Sequence, residues 1–416
     1  MIIHKNILKI LDLAERWIKT DIRFLLKNGG WIFLGQFFST LFSLVLVYVF
    51  ANYLPTEIYG TYKYIISIIS ILYIFSLSGL NQSLTIAIAK GKEGNLFIAT
   101  KTKFLFSLVG TLIGILLSLY YFFQGNIEYS ILVLLSSVFI PFIGSFNIYG
   151  SYLQGKKKFK ENSILIIFFS FIHSLLLVLT VYFSNNLFII ITVYYLVLAF
   201  LNYLFFTFSI KKHPPNTVSD RSFIGYGKHL SLMSVTNTVA THVDKIIIGH
   251  LFGPIDVAIY VFANAPIRKL LELFGKILGP LAFVKFSETS VAVLKKTLII
   301  KILKSFLLVI PIFILYVYFS QYLYNIFFPQ YYASIKYTRW LALIILAMPF
   351  MFLGTAITAQ AQKKMLYYYK FSTNLFLIIL MLILSPIFGV WGIVWSRVVY
   401  HFVSISILMY FFKRMN

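Results

Sequence analysis

The sequence predicts an all-α polytopic membrane protein of about twelve transmembrane helices in two six-helix bundles, and three observations carry that prediction. Of 416 residues, 60% are hydrophobic and 12% charged, against roughly 25% charged in soluble domains, and the mean hydropathy is +0.88. Apolar runs of about 18 residues or more recur along the whole chain, each able to cross a ~30 Å hydrocarbon core at ~1.5 Å per residue. The segments between them alternate between basic and lysine-free.

Residues 1–29 interleave Lys5, Lys9, Arg16, Lys19 and Arg23 with Ile7, Leu8, Leu11, Trp17 and Phe24. That spacing predicts an amphipathic helix lying in the membrane interface rather than a cleavable signal. Twelve spans follow at about 30–53, 63–88, 102–123, 129–152, 163–183, 188–210, 228–251, 258–282, 297–319, 336–360, 371–387 and 391–411. The basic segments are the N-terminus, KGKEG with Lys101 and Lys103, QGKKKFK, KKHPPNTVSDRS, Lys285 to Lys304, and AQKKMLYYYK. LPTEIYG, FFQGNIE, FSNN, LFGPID, YLYNIFFPQYY and SPIFGVWG carry neither lysine nor arginine. By the positive-inside rule the basic segments and both termini are cytoplasmic, which requires an even number of spans. The lysines are thereby read as topology and headgroup contacts.

The chain also reads as doubled. LPTEIYGTY (54–62) after span 1 matches FGPIDVAIY (252–260) after span 7, and QGKKK (154–158) after span 4 matches QAQKK (360–364) after span 10. Copies an even number of spans apart share orientation, which predicts a pseudo-twofold axis along the membrane normal. The expected organisation is therefore an N-terminal lobe over 30–210, a cytoplasmic linker over 211–227 and a C-terminal lobe over 228–416.

Charges inside spans are costly, about 2.5 to 3.5 kcal/mol each on insertion scales, so they point to function. On span 7, Ser234, Asn237, Thr241 and Asp244 form one helical stripe, beside Ser231, Thr238, His242 and Lys245. Span 8 places Asn264, Arg268, Glu272 and Lys276 at successive i+4 positions with Lys269 beside them, and span 12 places Arg397, His401 and Ser404 on one face. Span 1 offers only neutral Gln36, Ser39, Thr40 and Ser43. Lys245, Arg268, Lys269, Lys276 and Arg397 outnumber Asp244 and Glu272. Such an excess of buried positive charge calls for an anionic guest. A plainer reading makes Asp244 with Lys245, or Arg268 with Glu272, a structural pair. It also lets Lys276 snorkel to the interface, makes His173 a hydrogen-bonded interior histidine, and makes Trp391 and Trp395 interface anchors.

The +24 charge is spread over alternate loops rather than gathered into an exposed patch, which excludes nucleic acid as its target. There is no cysteine, no phosphate loop and no HExxH. No catalytic residue, metal site or cofactor is expected, and loops of about 5 to 16 residues on the lysine-free side leave little room for an active site there.

DKIIIGHLFGPIDVAIYVFANA (244–265), ANYLPTEIYGTY (51–62) and YLQGKKKF (152–159) resemble segments of Wzx-type O-antigen flippases, of the polysaccharide transporter branch of the multidrug/oligosaccharidyl-lipid/polysaccharide exporter superfamily. The resemblance implies a V of two six-helix bundles in the bacterial cytoplasmic membrane. It implies movement of undecaprenyl-pyrophosphate-linked oligosaccharide repeat units from the inner to the outer leaflet, alongside an O-antigen polymerase and chain-length regulator. On that reading Lys245, Arg268 and Arg397 hold the phosphates, with Lys269 secondary, and Asn237, Thr241 and Asn264 meet sugar hydroxyls. Asp244 is the coupling candidate, with Glu272 as the ion-pair partner of Arg268. Many relatives carry a basic residue in the turn after span 1, where this chain has Asn52. Two other readings stand beside it: a drug or metabolite exporter of the same fold, which a cationic interior opposes, and a membrane-embedded glycan polymerase or ligase, which the short loops oppose.

Overall fold

The computed structural model describes residues 22–360 and 363–415. Residues 1–21 of the expected interfacial helix, and two positions of the QAQKK motif, lie outside the described residues. Among the described residues every regular element is helical: α1 (Ile22–Tyr53), α2 (Thr56–Leu72), α3 (Gly79–Ala89), α4 (Asn95–Phe123), α5 (Ile127–Val138), α6 (Ile140–Phe146), α7 (Tyr149–Gly155), α8 (Phe159–Phe183), α9 (Leu187–Lys212), α10 (Ser222–Leu251), α11 (Pro254–Glu288), α12 (Val291–Phe327), α13 (Ser334–Leu341), α14 (Met351–Ala359), α15 (Lys363–Phe388) and α16 (Val390–Arg414).

All twelve expected spans are helical, and among the described residues ten segments are long and apolar enough to cross a membrane. The two that fall short are α10 and α11, spans 7 and 8, which carry the polar stripes. Three spans are broken. Span 2 passes through a 3₁₀ turn at Tyr73–Ser76, with Leu77 at φ +53°, before α3. Span 4 is interrupted at Pro141 and again after Phe146, and span 10 contains the 3₁₀ segment Ala342–Phe350 with Pro349 inside it. Proline removes a helical donor and its ring crowds the preceding turn, which accounts for the breaks at those two sites. Elsewhere the ends are capped. Asn186 accepts from the Phe188 and Ile189 amides to start α9, and Gly253 at φ +94° makes the turn that lets Pro254 open α11. Large apolar side chains lie exposed along α12, among them Leu307, Leu308 and Leu315, a surface that suits lipid rather than water.

By packing the chain forms two compact units. The first comprises the described residues up to Val49 with Phe75–Thr111 and Val138–Lys228. The second comprises Phe50–Ile74, Leu112–Ser137 and the chain from His229 onward. This division differs from the expected halves because the start of span 2 and the hairpin between spans 3 and 4 pack with the second half.

The first unit is centred on Leu80, Leu84, Ile148, Tyr152, Leu201 and Phe205. Its basic loops are tied down by carboxylates: Lys92 to Asp220, Lys156 to Glu93, and Lys212 and His213 to Glu161. Asn216 accepts from the Glu93 amide and Asp220 Oδ1 from the Ser222 amide, so residues 213–221 form a pinned connection rather than a loose linker. The Lys92 ammonium and the Ser222 hydrogen bonds hold the Asp220 carboxyl well below the usual carboxylate range. Lys103 departs from its reading as a headgroup contact. It is fully buried and donates to Asn81 Oδ1 and Asn147 Oδ1 at 2.5 and 3.2 Å, with no acidic partner among the described residues.

In the second unit, α2 lies along α11. Contact is close enough that a Cβ on Gly60 would sit 1.7 Å from the Pro254 carbonyl oxygen, and one on Gly249 would sit 2.2 Å from Tyr64 Cδ2. Tyr59 meets Phe262 in a tilted contact at 5.0 Å, and Phe262 stacks on Tyr331 at 3.8 Å. The two segments that look duplicated in sequence therefore meet in space. Asn52 Nδ2 donates to the Phe327 carbonyl at 3.2 Å and Gln330 Nε2 to the Asn52 carbonyl at 3.2 Å, extending the seam.

Candidate functional site

Asp244 sits at the centre of the polar stripe on α10 and has no exposed surface. Its Oδ1 accepts from Lys245 Nζ at 2.7 Å, and its Oδ2 accepts from an Arg397 terminal nitrogen at 2.5 Å and from the Tyr260 hydroxyl at 2.8 Å. Arg397 also donates to the Ala240 carbonyl and, through Nε, to the Tyr260 oxygen, while Lys245 donates to the Thr241 carbonyl. Removing three charges from water costs several kcal/mol each, and these directed contacts offset it. One carboxylate thus joins α10, α11 and α16. Because it faces two cations, the node retains one net positive charge.

Around this node the positive charge grows. Arg268 on α11 and Lys63 on α2 lie within electrostatic reach of Lys245 and of each other. The Lys63 ammonium stands 5.2 Å from the centres of the Tyr59 and Tyr62 rings, so aromatic faces take the place of a carboxylate. Arg268 and Glu272 approach at 3.7 Å with side chains 60% and 41% exposed, a loose pair in which the guanidinium can reach elsewhere. Four cations, Lys63, Lys245, Arg268 and Arg397, therefore gather near two carboxylates on α2, α10, α11 and α16. An anion with several oxygens complements this arrangement; a cation does not.

The remaining expected residues divide. Thr241 donates its hydroxyl to the Asn237 carbonyl at 2.7 Å; its oxygen remains an acceptor beside the exposed Asn237 side chain. Asn264 and Lys269 are half-buried one turn apart on α11, and Lys276 is exposed. His242 Nδ1 is buried without a hydrogen-bond partner among the described residues. His401 lines a cavity of about 290 Å³ with Tyr400, Tyr369 and Ser404. His173 lacks the expected hydrogen bond at Nε2 and is instead packed by the Phe169 and Tyr194 rings.

Sequence reasoning missed Lys63, Tyr260 and Lys103. Lys63 carried a usable signal: it is the lysine at the mouth of a span whose preceding loop is lysine-free. Tyr260 carried none, since nothing distinguishes it from the other 28 of 29 tyrosines before packing is known.

The sequence model of a family described as "Polysaccharide biosynthesis protein" matches residues 25–281. Among solved structures, the chain resembles a lipid II flippase, MurJ, in an inward closed conformation, with TM-score 0.70 and 16% identity over 91% of this chain and 86% of that one. It resembles the inward-facing conformation of a multidrug resistance MATE family transporter of the MOP superfamily, with TM-score 0.68 and 14% identity over 91% and 95% of the two chains. An outward-facing conformation of such a transporter gives TM-score 0.62 and 12% identity over 94% and 95%. At these identities the likeness establishes the fold alone. No curated protein matches the sequence.

Proposed function

Because the chain belongs to the polysaccharide biosynthesis protein family, we propose that it is a flippase. Its cargo would be an undecaprenyl-pyrophosphate-linked O-antigen repeat unit, moved from the inner to the outer leaflet of a bacterial cytoplasmic membrane by alternating access. The observation that carries this reading is the gathering of Lys63, Lys245, Arg268 and Arg397 near Asp244 and Glu272 on α2, α10, α11 and α16. A pyrophosphate supplies the missing negative charge, and a polyprenyl tail can stay in lipid while the headgroup crosses.

The residues take graded roles. Lys63 and Arg268, without tight carboxylate partners, receive the phosphates first, and Lys269 adds a further positive charge. Lys245 and Arg397 already hold Asp244, so an arriving phosphate competes with that carboxylate for them. Competition of this kind turns headgroup binding into a loosening of α10 from α16, a bias on any equilibrium in which those helices separate. Protonation of Asp244 would act in the same direction, which is the coupling role assigned to it. Asn237, Thr241 and Asn264 offer hydrogen bonds to the first sugar. Both termini lie in the cytoplasm, and the product passes to a polymerase outside.

A second reading, a drug exporter, is favoured by the fold shared with MATE transporters and opposed by the cation excess. Deleting the gene and locating the accumulated repeat units separates the readings. A flippase leaves them on the cytoplasmic leaflet, a lost polymerase leaves them outside, and a drug exporter leaves no lipid-linked units behind.

A further inference from the structure

A cavity of about 450 Å³ lies inside the first unit, within the roughly 300–1,000 Å³ usual for small-molecule sites. It is lined from α1, α6, α7, α8 and α9, and four features of its wall bear on what it holds. Asn162 is 95% buried by its 5% residual exposure, and its side-chain oxygen has no hydrogen-bond partner among the described residues. Asn202 spends its amide nitrogen on the Leu198 carbonyl at 2.7 Å, which leaves its own oxygen to accept. Ser170 donates to Ser39 at 2.7 Å, so the Ser39 hydroxyl can donate onward. Tyr149 and Phe169 supply aromatic surface beside these groups.

No charged side chain is among the lining residues. Buried Lys103 stands behind the wall, donating to Asn147 rather than facing the space. A phosphate would lack a direct cation here and a cationic drug would lack a carboxylate. An uncharged guest rich in hydroxyl donors answers the acceptors, and a ring with axial C–H groups answers the aromatics. An orphaned buried acceptor costs about 1–3 kcal/mol, so it calls for a partner. We infer that this cavity binds a neutral sugar ring of the lipid-linked glycan, with Asn162 and Asn202 accepting from its hydroxyls. The inference rests on the flippase reading and gives that reading a glycan subsite apart from the phosphate cations.

The test uses full-length protein in lipid nanodiscs and two probes: bare undecaprenyl pyrophosphate, and the glycan-bearing lipid extracted from the bacterium that makes the repeat unit. Wild-type protein should prefer the glycan-bearing lipid by about tenfold, the gain expected from two well-placed hydrogen bonds. Asn162→Leu with Asn202→Leu should abolish that preference and leave affinity for the bare lipid unchanged. Gly150→Ala gives a second route, because its methyl would lie 3.4 Å from Asn162 Oδ1, ordinary contact for the fold but an obstacle to a hydroxyl. A preference that survives in both variants, or is missing from the wild type, overturns the subsite. Failure of the wild type to bind either lipid overturns the flippase reading, and the subsite with it.

Discussion

At the scale of single residues, the account turns on which cations belong to the fold and which are available to a guest. Asp244 has no exposed surface and three side-chain donors. Asp244→Ala would strand Lys245 and Arg397 as unpaired buried cations, and should cost about 3–5 kcal/mol, read as a fall in the unfolding midpoint and in membrane protein level. Arg268 is the opposite case. With its side chain 60% exposed, Arg268→Gln should leave stability within about 0.5 kcal/mol while transport falls; equal loss of stability and transport would reject its role as a guest contact. Much of this was legible beforehand, because a charge inside an apolar helix stands out, and Asp244, Lys245, Arg268 and Arg397 do lie in one neighbourhood. Lys103 was not, because it sits near a span boundary where a lysine reads as an ordinary loop charge, and Lys63 was passed over although the lysine-free loop before it set it apart. The pairs of Asp244 with Lys245 and of Arg268 with Glu272 were readable from adjacency and i,i+4 spacing, whereas that of Arg397 with Asp244 lay beyond the sequence, since it spans 153 positions.

At the scale of elements, the seam between α2 and α11 depends on glycine. Gly60→Ala would drive a methyl into the Pro254 carbonyl, which cannot yield as a flexible side chain would. Separation of the two helices, at about 1–3 kcal/mol of overpacking, should appear as an increased distance between spin labels placed on α2 and α11; an unchanged distance would show the seam to be more pliable than its packing indicates. The connection at 213–221 makes a pH prediction. Asp220 has a folded carboxyl pKa below its unfolded value, so its contribution to that loop is present above about pH 4 and is lost as pH falls toward the folded value. Protection of the 213–221 amides against exchange, relative to their intrinsic rates, should therefore fall below about pH 4, and Asp220→Asn should reduce that dependence, leaving the part that belongs to Glu161 and Glu93. Ten of the twelve expected spans were legible from apolar run length, and spans 7 and 8 from the polar stripes they carry. The breaks in spans 2, 4 and 10 were not drawn, although Pro141 and Pro349 marked two of them, because a 3₁₀ turn keeps the same apolar composition as the helix it interrupts.

At the scale of the whole molecule, the broken spans 4 and 10 stand six apart, whereas span 2 is broken and its counterpart, span 8, runs on within the unbroken α11; the matched turns at 54–62 and 252–260 meet where Gly60 approaches Pro254. The two packing units could not have been read from periodicity, because which helices touch is set by side chains far apart in the chain. The central claim is that cations from both halves of the sequence carry an anionic headgroup across the membrane. Its most direct test is the initial rate at which glycan-bearing undecaprenyl pyrophosphate changes leaflet in proteoliposomes containing wild-type protein or a Lys63→Gln, Arg268→Gln variant. The account predicts a rate at least about tenfold lower in the variant, about 1.4 kcal/mol, with equal protein incorporation. A variant that moves the lipid at the wild-type rate would contradict it.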